Sequence, residues 1–149
     1  MNRPRQVRAG EVRAGEVRAE VPRTAEGVEA FCQQFRKWHA AECGQRDLFA
    51  SELLLREALM NGVAHGDGRR TPLACVLRGG TKRLLIAVND GGPGFDWRAQ
   101  RHVVAATGAT HGRGLEIYYG YASRVRFNTS GNGLTLVRVF RERTQEKTT

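Results

Sequence analysis

The segment ELLLREALMNGVAHG, Glu52 to Gly66, decides how the rest of the chain is interpreted. Its apolar residues recur at helical spacing and predict an α-helix with one face against a core, formed by Leu53, Leu54, Ala58, Leu59 and Val63. Glu57, Asn61 and His65 recur at every fourth position, so they form a polar stripe along the same helix. A carboxylate and an amide one turn apart, about 6 Å along the axis, can serve one site from a rigid support. For a single helix taken alone, a solvated polar face is the commoner explanation.

The size and composition of the chain favour one domain in a reducing compartment. Its 149 residues are enough to bury a core without metals or disulfides. The three cysteines are odd in number, widely spaced and without a CxxC pair, so we expect reduced, buried thiols rather than a disulfide framework or a zinc site. No apolar run is long enough to cross a bilayer, and no apolar segment follows the Arg-rich start as in a secretory signal. We therefore expect a soluble, cytoplasmic protein.

The charge of the chain points to acidic partners. The formal net charge is +9, with arginines concentrated in the first two dozen residues and after the last predicted strand. Such a balance favours nucleotides, acidic protein surfaces or nucleic acid. The basic segments have neither interleaved aromatic residues nor zinc-finger spacing, so nucleic-acid binding is the less favoured alternative.

The N-terminal segment is a near-repeat of five residues, VRAGEVRAGEVRAEV, from Val7 to Val21. A period of five fits neither a strand nor a helix, which predicts a flexible Arg-rich arm over residues 1–15. Glu16 to Val21 is predicted to form an edge strand that ends at Pro22. The folded domain is expected over residues 16–141, followed by a polar tail over residues 142–149.

The remaining segments predict helices and strands of one sandwich. Thr24 is the expected N-cap of a helix that runs to about Ala41, and Asp47 is expected to cap the helix of the opening segment. Later elements are a hairpin over 72–78 and 82–89, a helix after Thr110, and strands over 124–128 and 134–140. Together they predict an α+β fold, a two-layer α/β sandwich with a mixed, mainly antiparallel sheet.

Three glycine-containing segments add candidate chemistry to this fold. Asp90 follows a strand and precedes a run of glycines, where an aspartate can accept a hydrogen bond from an exocyclic amine and the backbone can approach a ligand. Gly112-Arg113-Gly114-Leu115 opens a helix, whose free N–H groups favour an anion such as phosphate. The segment from Gly131 ends at Thr135 on a strand. A plain turn, a glycine cap and β-propensity are the ordinary explanations of the three segments taken singly.

The order of four motifs is more specific than any one of them. The chain has E-x-x-x-N on a helix, D-x-G-x-G after a strand, G-x-G-L opening a helix and G-x-x-x-T in a final hairpin. This order resembles the GHKL ATPase superfamily, which includes DNA gyrase, a heat-shock chaperone, histidine kinases and mismatch-repair ATPases. The resemblance covers residues 16–140 and implies the Bergerat nucleotide-binding fold with ATP and Mg²⁺ as cofactors.

Within this superfamily the chain looks like the stand-alone serine-protein kinases that double as bacterial anti-sigma factors. We expect this branch because of the small size and because VPRTAEGVEAF, NGVAHG and GFD are similar to it. The resemblance implies a protein that phosphorylates a serine of a STAS-domain anti-anti-sigma protein, binds a sigma factor, or both, and homodimerises through its first strand and helix. The alternatives are a nucleotide-gated switch without kinase activity and a catalytic module for a separate phosphoacceptor-histidine protein.

The resemblance also implies roles for individual residues. Asn61 would ligate Mg²⁺, and Glu57 would be the general base that takes the proton of the attacking hydroxyl. Asp90 would accept from the adenine amino group, while His65 has no assigned role. The other implied nucleotide contacts are Gly92 and Gly94 at adenine, Thr135 in support of Asp90, and Gly112, Arg113, Gly114 and Leu115 at the phosphates. The segment from Asp96 to Thr110, where the family has its mobile lid, is short and basic here.

Overall fold

The computed structural model describes residues 8–13, 15–65, 71–91, 113–128 and 132–140. In this part of the chain, three helices and six strands alternate in an α+β order. The strands are β1 (Arg8–Arg13), β2 (Glu16–Val21), β3 (Leu73–Gly79), β4 (Arg83–Asn89), β5 (Arg124–Phe127) and β6 (Gly133–Val139). The helices are α1 (Ala25–Glu42), α2 (Leu48–Ala64) and α3 (Arg113–Tyr121).

The strands form one sheet in the order β1-β2-β3-β4-β6-β5. Every second side chain of β3 and β4 is buried, because the helices that the structure describes cover one face of the sheet. Helices α1 and α2 pack against each other and, with α3, share one hydrophobic core with this face. The predicted two-layer α+β sandwich is confirmed. The described strands pair antiparallel throughout, so none of them supplies the parallel pairing of a mixed sheet.

The predicted arm is partly a strand, which corrects the prediction for residues 8–13. β1 and β2 form a hairpin in which Arg13 is the register partner of Glu16, and Gly15 in the turn has a φ of 76°. Glycine adopts this positive φ without steric strain. The register shifts between Ala9 and Glu11, so the repeat contains a β-bulge as well as a turn. β2 has the predicted bounds, but the prediction that it lies at the edge is wrong, because β1 covers one side and β3 the other.

The helix ends follow the sequence signals with one exception. Thr24 caps α1 as predicted, since its Oγ1 accepts a hydrogen bond of 2.9 Å from the backbone N–H of Gly27. Asp47 lies at the N-cap position of α2 but makes no side-chain cap bond and has a left-handed φ of 64°. Its carboxylate instead pairs with the Arg138 guanidinium on β6, with Nη2 at 2.5 Å. The predicted cap is therefore an ion pair that ties the start of α2 to the sheet.

The three cysteines are reduced and buried, as their number and spacing predict. Cys32, Cys43 and Cys75 are free and buried in the core. Burial raises the pKa of the Cys32 and Cys43 thiols to about 11, so both stay protonated at neutral pH. Among the helices that the structure describes, none is both long enough and apolar enough to cross a membrane.

Candidate functional site

A glycine brings helix α2 close to the ends of β3 and β4. A Cβ added at Gly62 would lie 2.7 Å from Cδ2 of Leu73 and 3.5 Å from Cβ of Asp90. A larger side chain would therefore crowd Leu73, in a place where α2 is already close to Asp90. Sequence reasoning singled out Asp90 and missed Gly62. A glycine in a helix interior is unfavourable by about 1 kcal/mol relative to alanine, and this was the signal that the position has a packing role.

A cavity opens where α2, α3 and the ends of β4, β5 and β6 meet. Asn61 and His65 on α2 and Asp90 after β4 all line it, so three of the polar residues singled out in the sequence are brought together. Glu57 lies one turn before Asn61 on the same helix, outside the lining of the cavity. The complete lining consists of Ala58, Asn61, Gly62, His65, Val88, Asp90, Tyr118, Phe127, Asn132, Gly133 and Leu134.

The amide of Asn61 is oriented by a tyrosine from the opposite helix. Its Nδ2 donates a hydrogen bond of 2.5 Å to Oη of Tyr118, a residue of α3 that is 1% exposed. Because an amide has two donors and one acceptor oxygen, engaging the nitrogen leaves Oδ1 of Asn61 for a ligand. Burial raises the pKa of Tyr118 well above its ordinary value, although the Asn61 bond acts in the opposite direction, so the phenol stays neutral. Sequence reasoning missed this contact.

The surroundings of the Glu57 carboxyl differ from those of Glu52 on the same helix and Glu29 on α1. Glu52 and Glu29 bind arginines, and their pKa values are lowered chiefly by those hydrogen bonds. Glu57 is half-buried, and within the described part of the chain no hydrogen bond or ion pair to its carboxylate is present. Burial therefore raises its pKa above 4.5, and it is close enough to Tyr118 to raise the pKa of that phenol. A carboxylate with these properties is a stronger base than a surface glutamate.

The backbone of Asp90 is fixed on both sides. Its N–H donates a hydrogen bond of 2.9 Å to the carbonyl oxygen of Asn132, and its own carbonyl accepts a bond from the Arg23 guanidinium. Gly91 follows with a φ of 66°, and its N–H donates to Oδ1 of Asn89 at 2.8 Å. The chain therefore turns immediately after Asp90, a residue that lines the cavity and is 8% exposed.

Thr135, predicted to support the Asp90 contact, lies on the other face of the sheet. Leu134 and Leu136 on β6 are buried against the helices, and successive strand residues point to opposite faces. Thr135 instead lines a groove on the face of the sheet opposite the described helices, with its register partner Ala87. The structure therefore does not bring Thr135 to the cavity, and Leu134 occupies the position that faces it.

The predicted phosphate segment is described only in part. Arg113 and Gly114 begin α3, which confirms that a helix opens there, and Leu115 is buried in the core. The predicted contacts Gly92, Gly94 and Gly112 lie outside the described residues, as does the segment from 96 to 110 that was predicted to be the lid.

The polar groups of the cavity fit a hard cation that is held mainly by other ligands. Mg²⁺ prefers oxygen ligands, keeps several waters and is bound by few protein groups together with substrate phosphates. Oδ1 of Asn61 is one such oxygen, since the Tyr118 contact uses the amide nitrogen. Among the residues that the structure describes, no group of three or more His, Cys, Asp or Glu side chains forms a metal site.

Comparison with known families assigns the domain. Residues 21–139 match the family model of the histidine kinase-like ATPase domain. Because the match spans most of the chain, the protein belongs to this family, and the assignment supports ATP binding. A comparison with curated proteins gives no significant match.

Proposed function

We propose that the protein is an ATP- and Mg²⁺-dependent serine-protein kinase that acts as an anti-sigma regulatory factor. Its protein substrate would be an anti-anti-sigma protein with a STAS domain, and its regulatory target would be a sigma factor. Residues 16–141 would form the nucleotide-binding unit, acting in the cytoplasm as a homodimer. The proposal combines the family assignment with the resemblance of the sequence to the serine-protein kinases that act as anti-sigma factors.

One observation carries the nucleotide site in this proposal. Asn61 from the last turn of α2 and Asp90 from the end of β4 line the same cavity, with Glu57 one helical turn away. An amide oxygen for Mg²⁺, a carboxylate for an exocyclic amine and a base are thus available within one region of the fold. Mg²⁺ bound there would neutralise phosphate charge during transfer.

The same region supports phosphotransfer rather than nucleotide binding alone. Glu57 has a raised pKa and, among the described residues, no arginine or lysine partner that would weaken it as a base. A base that accepts the proton of a serine hydroxyl is required when that oxygen attacks the γ-phosphorus and ADP departs. The hydrogen bond between Asn61 and Tyr118 holds the Asn61 amide in one orientation.

The test uses the purified protein with ATP labelled in the γ-phosphate, Mg²⁺ and purified STAS-domain anti-anti-sigma proteins. We expect acid-stable phosphoserine on one of them. Glu57→Gln keeps the shape of the side chain and should reduce transfer by about 10²- to 10⁴-fold, the usual contribution of a positioned base. ATP binding by this variant should be retained.

Glu52→Gln is the matched control, because Glu52 lies on the same helix but is bound by Arg36 and Arg56. Transfer should be unchanged in this variant at a temperature where it is folded. Undiminished transfer by Glu57→Gln would reject the assigned base. Acid-labile phosphate would indicate a module for a phosphoacceptor histidine, and tight ATP binding with no transfer would favour a nucleotide-gated switch.

A further inference from the structure

One arginine connects the two sides of the proposed nucleotide site. Arg23 lies in the short link between β2 and α1, and its guanidinium donates to three backbone carbonyls. Nε binds the Thr71 oxygen at 2.9 Å, Nη1 binds the Gly62 oxygen at 2.7 Å, and Nη2 binds the Asp90 oxygen. The three acceptors are 39 to 67 positions away in the chain. The planar fork of arginine is the side chain best suited to satisfy several fixed oxygens at once.

Two of the three acceptors adjoin residues of the proposed site. Gly62 follows Asn61 directly in the last turn of α2, and its carbonyl is one of the terminal acceptors that a helix leaves without an internal partner. A cation at this end of a helix is also favoured by the helix dipole. The third acceptor belongs to Asp90 itself. Arg23 therefore joins the backbone that carries the amide to the backbone that carries the carboxylate.

The Arg23 guanidinium holds backbone carbonyls in position rather than neutralising an acidic side chain of the described residues. In the described part of the chain, no carboxylate pairs with its guanidinium, whereas Arg36, Arg56, Arg78 and Arg138 all bind acidic side chains. Arg23 is also only partly exposed. Without it, the Asp90 peptide would retain the bond from its N–H to Asn132 and lose the bond on its carbonyl side. The Asp90 backbone would then no longer be linked through Arg23 to the end of α2.

We propose that Arg23 is the positioning residue that sets the preference of this site for adenine. The inference rests on the proposed function, in which Asp90 accepts a hydrogen bond from the adenine amino group. A site that hydrogen-bonds an amino group rejects an analogue without that group only if the acceptor cannot move to another partner. Arg23 provides this restraint by holding the Asp90 backbone against α2.

The experiment compares ADP with IDP, which carries an oxo group in place of the adenine amino group. Dissociation constants for both, with Mg²⁺, are measured by calorimetry on the full chain, beside its thermal unfolding. We expect the native protein to prefer ADP by about 10- to 100-fold, the range for one hydrogen bond to a charged acceptor. Arg23→Ala should reduce this preference by at least about fivefold, mainly through weaker ADP binding.

Arg56→Ala is the matched control, because Arg56 joins α1 to α2 through Glu29 and Glu52 on the surface. It should lower the melting temperature and leave the ratio of the two constants within about twofold. Arg23→Lys serves if the alanine variant does not fold. The three donors of an ammonium lie on one nitrogen and cannot reproduce the planar fork that reaches three separate carbonyls, so this variant should still reduce the ratio. In the Asp90→Ala background, adding Arg23→Ala should change the ratio no further.

The outcomes separate this inference from the proposed function. A native protein that binds neither nucleotide would reject the proposed function, and with it the role of Arg23. The inference alone would be overturned if the native protein binds ADP and its strong preference for ADP over IDP persists in folded Arg23→Ala or Arg23→Lys. A further loss of preference from Arg23→Ala in the Asp90→Ala background would also overturn it, because Arg23 would then not act through Asp90.

Discussion

Nδ2 of Asn61 donates a hydrogen bond of 2.5 Å to Oη of Tyr118, which joins α2 to α3 across the cavity. The nitrogen and the oxygen of the Asn61 amide therefore have different roles. The nitrogen holds the side chain in place, and the oxygen is left for a cation or a phosphate-bound water.

Tyr118→Phe should weaken nucleotide binding only when Mg²⁺ is present. The substitution removes the acceptor for Asn61 Nδ2, and the loss of one such bond weakens binding by about 2- to 10-fold. Affinity for ATP is measured with Mg²⁺ and with a chelator. Tyr121→Phe, which removes a hydroxyl from an exposed residue of the same helix, is the control. Equal weakening with and without Mg²⁺ would contradict the role given to Asn61.

ATP with Mg²⁺ should raise the melting temperature of the protein by several degrees. Ligand at about 100 times its Kd stabilises a folded protein by about 2.7 kcal/mol, and each kcal/mol is worth about 2–4 °C at this size. Asn61→Ala should lose most of the Mg²⁺-dependent part of the shift. The absence of a shift with ATP or ADP in the native protein would argue against a functional nucleotide site.

The rate of phosphotransfer should increase with pH on the acid side of its profile. Burial raises the pKa of Glu57 above 4.5, and only the ionised carboxylate accepts a proton. The rate should therefore rise as pH increases through that raised pKa. Transfer is measured at saturating ATP from acidic to neutral pH, and the residual rate of Glu57→Gln should lack this limb. An acid limb that persists in the variant would assign the titration to another group.

His39 should make folding stability depend on pH below neutrality. The side chain is fully buried, with Nδ1 2.9 Å from the Gly44 carbonyl oxygen and Nε2 3.0 Å from the Ser51 hydroxyl. Burial lowers its pKa below 6.5, so the unfolded chain binds the proton first as pH falls. The contribution to stability is complete above pH 6.5 and decreases on acidification until the lowered pKa is reached.

Urea unfolding across this range measures the effect of His39. The slope from one group is at most about 1.4 kcal/mol per pH unit. His39→Gln should flatten the slope relative to the native protein. Equal slopes for native protein and His39→Gln would show that another group titrates.

Gly62→Ala should destabilise the protein and weaken nucleotide binding together. Its Cβ would meet Leu73 at 2.7 Å, and overpacking of a core contact costs about 1–3 kcal/mol. Gly120→Ala is the matched substitution, because Gly120 is also helical and a Cβ there meets nothing within 4 Å. It should leave binding unchanged and increase stability by up to about 1 kcal/mol. Denaturant unfolding and ATP affinity are measured for both variants, and unchanged affinity in folded Gly62→Ala would separate α2 packing from the site.

Local patterns predicted the helices, most strands and two of the polar residues that line the cavity, Asn61 and Asp90. Thr24 marks the start of α1 because threonine caps helices, and the glycines between β3 and β4 mark a turn because glycine is favoured there. The four motifs are recognised by the fixed spacing of their residues. Arg23 and Tyr118 were not predictable in this way, because their partners lie 39 to 67 positions away and no local pattern connects them. The side-chain direction of Thr135 depends on strand register, where one residue reverses the face.

The N-terminal repeat was misjudged for a physical reason. A five-residue period is incompatible with an uninterrupted strand, but it is compatible with strands that contain a bulge or are joined by a turn. In this chain the register of β1 against β2 shifts at Gly10, and the chain reverses its direction at Gly15. Each glycine therefore restarts the alternation of side chains between the two faces of the sheet.

The hairpin has a consequence for how the sheet meets other molecules. β1 is the outermost strand on this side, and its bulge interrupts the regular ladder that another strand would need. β2, in contrast, pairs with β3 over six consecutive positions without a shift. A chain shortened to begin at Glu16 would expose this regular edge. Such a truncation would remove a barrier to aggregation along with the arginines.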